Sequence, residues 1–312
     1  MVDGMAFSRR ALFLAGPDLW RARIRAMERV MGPLPPLKDE VDWRAGREWR
    51  GEGYTRRHIL FEAEPGDFVP AWLLLPDRPR RGGPAVLCLH QTTRLGKDEP
   101  AGLGGGPRLH LAKELALRGY VALAPDYPNF GEYRVDPYAR GYASATMKGI
   151  VNHARALRLL AALPGVDSRR IAAAGHSLGG HNALFLAAFE PRVAAVVTSC
   201  GFTSFRRYMG GDLRGWSHAG YMPRIASEFG CDPARMPFDF ADVLALIAPR
   251  PVFVSAPLGD DNFDVQGVRE CLASVRRLFP QERLAARFPA CGHDFPDQVR
   301  AEAWRFLDRM LR

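Results

Sequence analysis

The sequence has 312 residues, of which 47% are hydrophobic and 25% are charged, and these values are ordinary for a folded globular chain. Its formal charge of +9 comes from arginines that are scattered among carboxylates, so the charge pattern argues against a nucleic-acid-binding protein. No apolar run reaches the roughly 18 residues that a membrane span needs, so we expect neither a membrane nor a nucleic acid as a partner.

Five cysteines are spread widely along the chain without a CxxC pair. Their odd number and wide spacing argue against a disulfide framework and against a zinc site, so we predict no metal and a reducing, cytoplasmic location. The opening stretch SRRALFLAG resembles a twin-arginine export signal. Its apolar part ends at Ala15, however, and Asp18 follows too soon for a secretory leader, so export ranks second.

The first predicted elements are a helix, a loop and a hairpin. After Pro17 the apolar residues recur at helical spacing until Gly32, which predicts an N-terminal helix. The segment 32–53 is rich in proline and glycine and predicts a loop that wraps the surface. The runs YTRRHILFEA and DFVPAWLLLP flank a Pro-Gly turn and predict an antiparallel hairpin.

From residue 84 onward, short buried strands alternate with helices. The predicted strands are AVLCLH, YVALAPDY, RIAAAGHS, VAAVVTSC, PVFVSAP and RLAARFPA. Apolar strands separated by helices are typical of a sheet covered on both faces, so the predicted fold class is α/β, with a mostly parallel, doubly wound sheet and the antiparallel hairpin at its start. We expect one domain over residues 55–312, preceded by the helix and wrapping loop of residues 1–54. After the sixth predicted strand, residues 201–250 form an aromatic insertion that we expect over the functional site.

The stretch GHSLG, residues 175–179, lies where a predicted strand turns directly into a predicted helix. Such a turn strains its central residue and needs neighbours without bulky side chains, which Gly175 and Gly179 provide. It presents the hydroxyl of Ser177 beside a helix N-terminus, where backbone amides stabilise negative charge. We therefore predict that Ser177 is a nucleophile rather than a helix cap.

A serine nucleophile needs a base and an orienting carboxylate, and in this topology both follow it in the chain. Asp260 and Asp261 come after the next-to-last predicted strand, and His293 comes after the last one. We predict that His293 is the base and Asp260 the acid, with Asp261 in reserve. His176 is fixed to the turn and is expected to line the site, whereas His90 is interpreted as a residue that stabilises a turn.

The oxyanion of a tetrahedral intermediate needs two hydrogen-bond donors. One should be the backbone amide of Leu178, directly after the nucleophile, and the other should come from the loop HQTTRLG, from Gln91 or Thr92. Large side chains of the insertion are candidate walls of an acyl or alcohol pocket, with ordinary core packing as an equal alternative. These residues are Trp216, Tyr221, Met222 and Phe240.

From about residue 55 onward the chain resembles the α/β-hydrolases, in particular their dienelactone-hydrolase-like and acetyl-xylan-esterase-like branch. The matching stretches are HQTT, APDYPNFGEY, GHSLGGHNAL, APRPVFVSAP with GDDNF, and CGHDFP. The resemblance implies a serine hydrolase that cleaves carboxylic esters without a metal or organic cofactor. Ser177 replaces the cysteine nucleophile of dienelactone hydrolases, so their substrate is not implied, and HQTT is not the glycine-rich loop of lipases. Some relatives place the acid after the strand that here ends at Cys200, which cannot serve as that acid and so favours Asp260.

The expected substrate is a small ester with a short acyl chain, a sugar acetyl group or a lactone ring. A peptidase or amidase of the prolyl-oligopeptidase type shares this order of triad residues. It ranks second because no propeller repeats occur before residue 55 of this sequence. An acyltransferase, and a binding module that keeps the fold without the chemistry, rank below both enzymes.

Overall fold

One sheet of nine strands forms the centre of the molecule across the described residues. A computed structural model describes residues 9–312, with side chains described from residue 16 onward. The strands are β1 (Trp43–Arg50), β2 (Tyr54–Glu64), β3 (Asp67–Pro76), β4 (Ala85–Leu89), β5 (Val121–Pro125), β6 (Ile171–His176), β7 (Ala195–Ser199), β8 (Val252–Ser255) and β9 (Leu284–Arg287). The helices are α1 (Arg9–Met31), α2 (Leu111–Leu117), α3 (Ala145–Ala162), α4 (Leu178–Phe189), α5 (Arg224–Ser227), α6 (Phe240–Ile247), α7 (Val265–Val275) and α8 (Asp297–Met310).

The strand order in the sheet is β1, β2, β3, β5, β4, β6, β7, β8 and β9. The strands β1, β2, β3 and β5 pair antiparallel, and every later pair in this order is parallel. The hairpin of β2 and β3 closes with Glu64 opposite Asp67, around the Pro-Gly turn. The predicted doubly wound, mostly parallel α/β sheet with an antiparallel start is therefore confirmed, and each predicted strand is present.

Helices cover both faces of the sheet and give it two apolar cores. One core holds side chains of α1, α3, α4, α6 and α7, and the other holds side chains of α2 and α8. The strands from β4 to β8 are buried along their whole length. Because both faces of these strands are covered, their sequences are continuous apolar runs rather than alternating ones.

The predicted wrapping loop contains a strand, and the prediction was wrong at that point. Strand β1 pairs antiparallel with β2 and carries an irregularity in register between Ala45 and Glu48. All of its residues are exposed, so its sequence has no alternating apolar pattern to reveal it. It is an edge strand in which Trp49 packs edge-on against Trp72, with a ring separation of 5.2 Å. A bulge and exposed charged residues are typical of edges that avoid pairing with other chains.

The insertion lies between β7 and β8 and contains α5 and α6. Because β1 adds a strand before the predicted ones, the insertion follows the seventh strand of the sheet instead of the sixth. The side chains of the twin-arginine stretch fall outside the described residues, so the export question is not addressed by the fold. Among residues 9–312, no helix has both the length and the apolar character needed to cross a membrane.

Candidate active site

The carboxyl ends of the parallel strands gather the predicted site residues at one edge of the sheet, which is where open α/β sheets build their sites. The loop with Gln91 follows β4, and Ser177 joins β6 to α4. The loops that follow β8 and β9 carry Asp260 and His293. The residues are far apart in sequence, and the parallel sheet brings them to one side.

The Ser177 turn has the geometry of a nucleophile elbow. Ser177 has φ 52° and ψ −119°, a conformation that costs a non-glycine residue about 1–3 kcal/mol. A Cβ atom on Gly175 would lie 2.2 Å from the Gly179 carbonyl carbon, and one on Gly179 would lie 2.0 Å from the Leu89 carbonyl oxygen. The two glycines therefore allow α4 to start directly against β6 and β4, as the sequence pattern predicted.

Asp260 and His293 form a hydrogen-bonded pair. Nδ1 of His293 lies 3.0 Å from each carboxylate oxygen of Asp260. The backbone amides of Asn262 and Phe263 donate to the same carboxylate at 2.9 and 3.0 Å. Burial raises the pKa of Asp260, but the His293 bond and charge and the two amides outweigh burial and hold that pKa below its ordinary value. The carboxylate is thus ionised and fixed beside the imidazole.

Asp261 does not occupy this position. Its side chain is exposed, whereas that of Asp260 is buried. Among the hydrogen bonds of the described residues, Asp260 is the carboxylate that reaches His293. The geometry therefore favours Asp260 over the reserve residue.

The contact between Ser177 and His293 is less direct. The His293 ring packs edge-on against the ring of His176, the residue before Ser177, at a centroid distance of 4.9 Å. The hydrogen bonds of the described residues do not include one from the Ser177 hydroxyl to His293. In enzymes without bound substrate such bonds are often long and shorten only in the complex. The structure places His293 beside His176, the residue before Ser177, without a hydrogen bond to the Ser177 hydroxyl.

The two predicted oxyanion donors lie on adjoining backbone. Leu178 is the first residue of α4, so its amide has no acceptor within the helix. The loop after β4 lies against the turn, because the Leu89 and His90 carbonyl oxygens are among the nearest atoms to a Cβ placed on Gly179. The Gln91 side-chain amide donates from Nε2 to Glu99 Oε1 at 3.0 Å. If Gln91 is a donor to the oxyanion, its backbone amide is therefore the group that would serve. The choice between Gln91 and Thr92 stays open.

Aromatic side chains of the insertion pack against this loop and against α4. Thr92 Oγ1 lies 3.0 Å from the Tyr221 hydroxyl, and this bond connects the insertion to the predicted oxyanion loop. The Trp216 ring packs at 4.7 Å from His181, one helical turn after Ser177. Met222, in contrast, is 0% exposed within the apolar core, so its predicted contact with substrate is not supported.

Three further histidines near the site are buried and neutral. Burial lowers the pKa to about 4 for His90 and to about 3 for His176 and His181. His90 accepts a hydrogen bond from the Tyr127 amide at 3.0 Å and also bonds the Gln91 carbonyl, in agreement with its interpretation as a turn-stabilising residue. His293 is the histidine of this group that reaches solvent, with a side chain 24% exposed.

Sequence reasoning missed Phe263, whose ring lies 5.9 Å from the His293 ring. It placed Cys200 near the predicted site as a buried structural thiol, and the Cys200 sulfur does lie close to the Asp260–His293 pair. One atom each of Cys200, Asp260 and His293 falls within 4.8 Å of the others, and all three atoms are of types that ligate metals. The sequence signal for Cys200 was its place at the end of a strand beside the elbow strand, but its distance from His293 depends on the loop after β9.

A buried lysine and its carboxylate partners, also missed, fix the loop after β4. Lys97 is 0% exposed and lies within 3.5 Å of carboxylate oxygens of Asp98, Asp126 and Glu132. The Lys97 amide donates to Asp126 at 2.7 Å. Buried charges are stable only when paired, so this network holds the segment that follows Gln91 and Thr92 in one conformation.

Comparisons with known proteins agree with this architecture. Residues 109–311 match the model of the prolyl oligopeptidase family. The putative hydrolase YtaP of Bacillus subtilis (strain 168) is 25% identical over 310 residues, which cover 93% of this chain and 99% of YtaP.

Two solved structures are similar over nearly their whole length. A glucuronoyl esterase from Solibacter usitatus has a TM-score of 0.71 at 17% identity, and the match covers 94% of this chain and 92% of the esterase. Acetyl xylan esterase 1 from Thermoanaerobacterium sp. JW/SL YS485 has a TM-score of 0.64 at 17% identity, and the match covers 98% of this chain and 99% of the esterase. With the elbow, the strand order and a family match over residues 109–311, the chain has the α/β-hydrolase fold and belongs to the prolyl oligopeptidase family.

Proposed function

We propose that the protein is a serine hydrolase that cleaves carboxylic esters through Ser177, His293 and Asp260. The observation that carries this proposal is the hydrogen bond between Asp260 and His293 Nδ1, on the same edge of the sheet as the strained Ser177. A carboxylate on Nδ1 keeps the proton on that nitrogen and leaves Nε2 free to accept one. The pair therefore has the arrangement that a serine nucleophile requires.

In the first half of the reaction, Nε2 of His293 takes the Ser177 proton while Oγ attacks the ester carbonyl carbon. The developing oxyanion accepts hydrogen bonds from the Leu178 amide and from the loop of Gln91 and Thr92. Asp260 stabilises the imidazolium through the Nδ1 bond. The imidazolium then donates its proton to the leaving alcohol, and an acyl group remains on Ser177.

In the second half, water takes the place of the alcohol. His293 accepts a proton from the water, the resulting nucleophile attacks the acyl carbonyl, and the carboxylic acid leaves as His293 returns the proton to Ser177. The missing hydroxyl–imidazole bond must form for either half. We expect bound substrate to close it through a small shift of the surface loop that carries His293.

Small or carbohydrate esters are the proposed substrates, in preference to esters of long acyl chains. The two esterases described above, which match nearly the whole chain, are named for substrates of this class. The rings of His181, Trp216 and Tyr221 pack against one another one helical turn after Ser177, and this bulk favours a small acyl group. Short acyl groups, sugar acetyl groups and lactones are therefore the proposed substrates, and a cytoplasmic location belongs to the same proposal.

Membership of the prolyl oligopeptidase family favours a peptidase or amidase as the second candidate function. The same three side chains would then release an amine in place of an alcohol. Amides are less reactive acyl donors than esters, so an amidase should also hydrolyse activated aryl esters. Hydrolysis of an amide substrate therefore distinguishes the two functions, since only the amidase should cleave it.

The experiment compares aryl acetates, acetylated sugars, lactones and aminoacyl anilides as substrates of the wild type, Ser177→Ala and Ser227→Ala. Ser227 is exposed at the end of α5, so its variant controls for loss of a serine hydroxyl elsewhere. We expect ester hydrolysis that is lost in Ser177→Ala, retained in Ser227→Ala and accompanied by little anilide cleavage. Equal rates in the wild type and Ser177→Ala would contradict the proposal, and dominant anilide cleavage would favour the amidase. An added alcohol that captures the acyl group would indicate an acyltransferase.

A further inference from the structure

Cys200 is a buried cysteine next to the Asp260–His293 pair of the proposed triad. It follows β7, has φ 48° and is 2% exposed. Its thiol lies 3.4 Å from the Asp294 carbonyl oxygen, to which it donates, and Ser199 Oγ lies 3.8 Å from the sulfur. Cys200 therefore touches the backbone of the residue directly after His293.

Three different metal-binding groups converge at this point. The Cys200 sulfur, an Asp260 carboxylate oxygen and a His293 nitrogen all lie within 4.8 Å of one another. In a tetrahedral zinc site the ligand atoms are separated by about 3.3–3.8 Å, which follows from zinc–ligand bonds of about 2.0–2.3 Å. The Asp260 oxygens and His293 Nδ1, 3.0 Å apart, would separate by a few tenths of an ångström, and the Cys200 sulfur would approach them by about 1 Å or less, to reach such a geometry. Thiolate, carboxylate and imidazole on three protein positions, with water as a fourth ligand, form a set that zinc accepts.

We propose that Zn²⁺ binds to Cys200, Asp260 and Nδ1 of His293 and thereby inhibits the enzyme. The proposal rests on the proposed function for its inhibitory consequence, whereas the binding itself depends only on the three side chains. The ion acts here as an inhibitor and takes no part in ester hydrolysis.

The proton balance explains the inhibition. The Cys200 thiol loses its proton to solvent and becomes a thiolate ligand, and Asp260 is already ionised. A neutral imidazole keeps one N–H, so zinc on Nδ1 moves that hydrogen to Nε2. Nε2 can then no longer accept the proton of Ser177, and the base is lost. One proton is released for each ion bound.

The charge balance makes the site suitable for a divalent cation. Without metal, burial and the neighbouring Asp260 carboxylate both oppose ionisation of Cys200 and raise its pKa. Zinc with one thiolate and one carboxylate has no net charge. The Cys200 thiolate is then neither an unpaired buried charge nor repelled by the Asp260 carboxylate. The Asp260 oxygens are already held by two backbone amides, and the surface loop of His293 gives the ion a route from solvent.

The first test measures inhibition of aryl acetate hydrolysis by zinc in the wild type, Cys200→Ser and Cys291→Ser. Serine at 200 can keep the bond to Asp294 but is a poor zinc ligand, and Cys291 is a partly exposed thiol two residues before His293. We expect a chelator to reverse inhibition of the wild type. Cys200→Ser should raise the half-inhibitory zinc concentration by at least about 10–100-fold, since loss of even an outer-sphere partner has that effect. Cys291→Ser should respond as the wild type does, and equal inhibition of Cys200→Ser and wild type would overturn the proposal.

The second test measures binding without activity. Co²⁺ is added to Ser177→Ala and to Ser177→Ala with Cys200→Ser, and the near-ultraviolet absorption of a thiolate–cobalt bond is recorded. We expect the band in the first protein and not in the second, with Zn²⁺ displacing the cobalt. A band in Ser177→Ala without ester hydrolysis in the wild type would retain the metal site and reject the proposed function. Absence of the band in Ser177→Ala, or its persistence after Cys200→Ser, would reject the metal site.

Discussion

At the scale of single residues, the backbone around Ser177 fixes its position. Ser177 has φ 52°, and its amide donates to the Ser199 carbonyl at 2.8 Å while its own carbonyl accepts from Gly180 and His181. These backbone bonds hold the strained residue in one position and leave its hydroxyl out of the backbone hydrogen bonding. Asp260 is fixed in a similar way, by amides of its own loop and by His293.

Replacing Asp260 by asparagine should disable the base while leaving the fold in place. We expect kcat to fall by about four orders of magnitude in Asp260→Asn, because the amide no longer holds the productive tautomer of His293. Asp261→Asn is the matched control, since Asp261 is exposed beside the same loop. Steady-state ester hydrolysis measures both variants. A larger loss in Asp261→Asn than in Asp260→Asn would reverse the assignment of the acid.

At the scale of elements, the start of α4 is packed closely against β4 and β7. A Cβ on Gly180 would lie 2.8 Å from Gly201 Cα, and a Cβ on Gly201 would lie 2.2 Å from Thr198 Oγ1. Together with Gly175 and Gly179, these glycines let the helix approach the sheet edge where the site residues gather. The small residues around the elbow therefore serve packing and chemistry at once.

Gly179→Ala should be both less stable and less active than the wild type. The added Cβ would meet the Leu89 carbonyl oxygen at 2.0 Å, a backbone atom that cannot swing away. Overpacking of this kind typically costs about 1–3 kcal/mol of unfolding free energy. Gly106→Ala is the control, because nothing lies within 4 Å of its Cβ position and its φ is −76°. Urea denaturation checks both, and equal stability of the two variants would show that the close approach does not matter.

The sequence predicted those elements whose pattern reflects burial. The strands β4 to β8 were predicted because a strand covered on both faces needs apolar residues, and the hairpin of β2 and β3 was predicted from its Pro-Gly turn. The elbow was predicted because glycines stand two residues before and two residues after Ser177. Strand β1 was missed because an exposed edge strand has no such pattern. Cys200 was expected near the site from its place at the end of a strand, but its short distance to His293, and the contact of Phe263 with His293, depend on how two loops fold over the sheet edge. The division at residue 54 stays a prediction.

At the scale of the whole molecule, buried histidines connect stability to pH. Besides His90, His176 and His181, helix α3 contains His153, which is 2% exposed and has its pKa lowered to about 3 by burial. In the unfolded chain each of these histidines would titrate near the ordinary value of about 6.5. Between about pH 6.5 and these lowered pKa values, the folded state therefore binds fewer protons than the unfolded state.

Acid should consequently destabilise the protein from about pH 6.5 downward, where these histidines gain protons in the unfolded chain. The contribution of these histidines is fully present above about pH 6.5 and is lost as pH falls toward their folded-state values, by up to roughly 1.4 kcal/mol per pH unit for each histidine. His153 lies away from the triad, so His153→Gln should reduce this slope without removing the elbow. Unfolding free energies measured from pH 7.5 to 5 test the prediction, and identical slopes in the wild type and His153→Gln would contradict it.

Activation of Ser177 as a nucleophile is the property on which the proposed function depends most. A fluorophosphonate probe forms a covalent bond with an activated serine, and peptide mass spectrometry locates the adduct. We predict one adduct per chain, on Ser177, with labelling that is greatly slowed in Asp260→Asn. No adduct on the folded wild-type protein, or an adduct on another residue with Ser177 unmodified, would contradict the assignment.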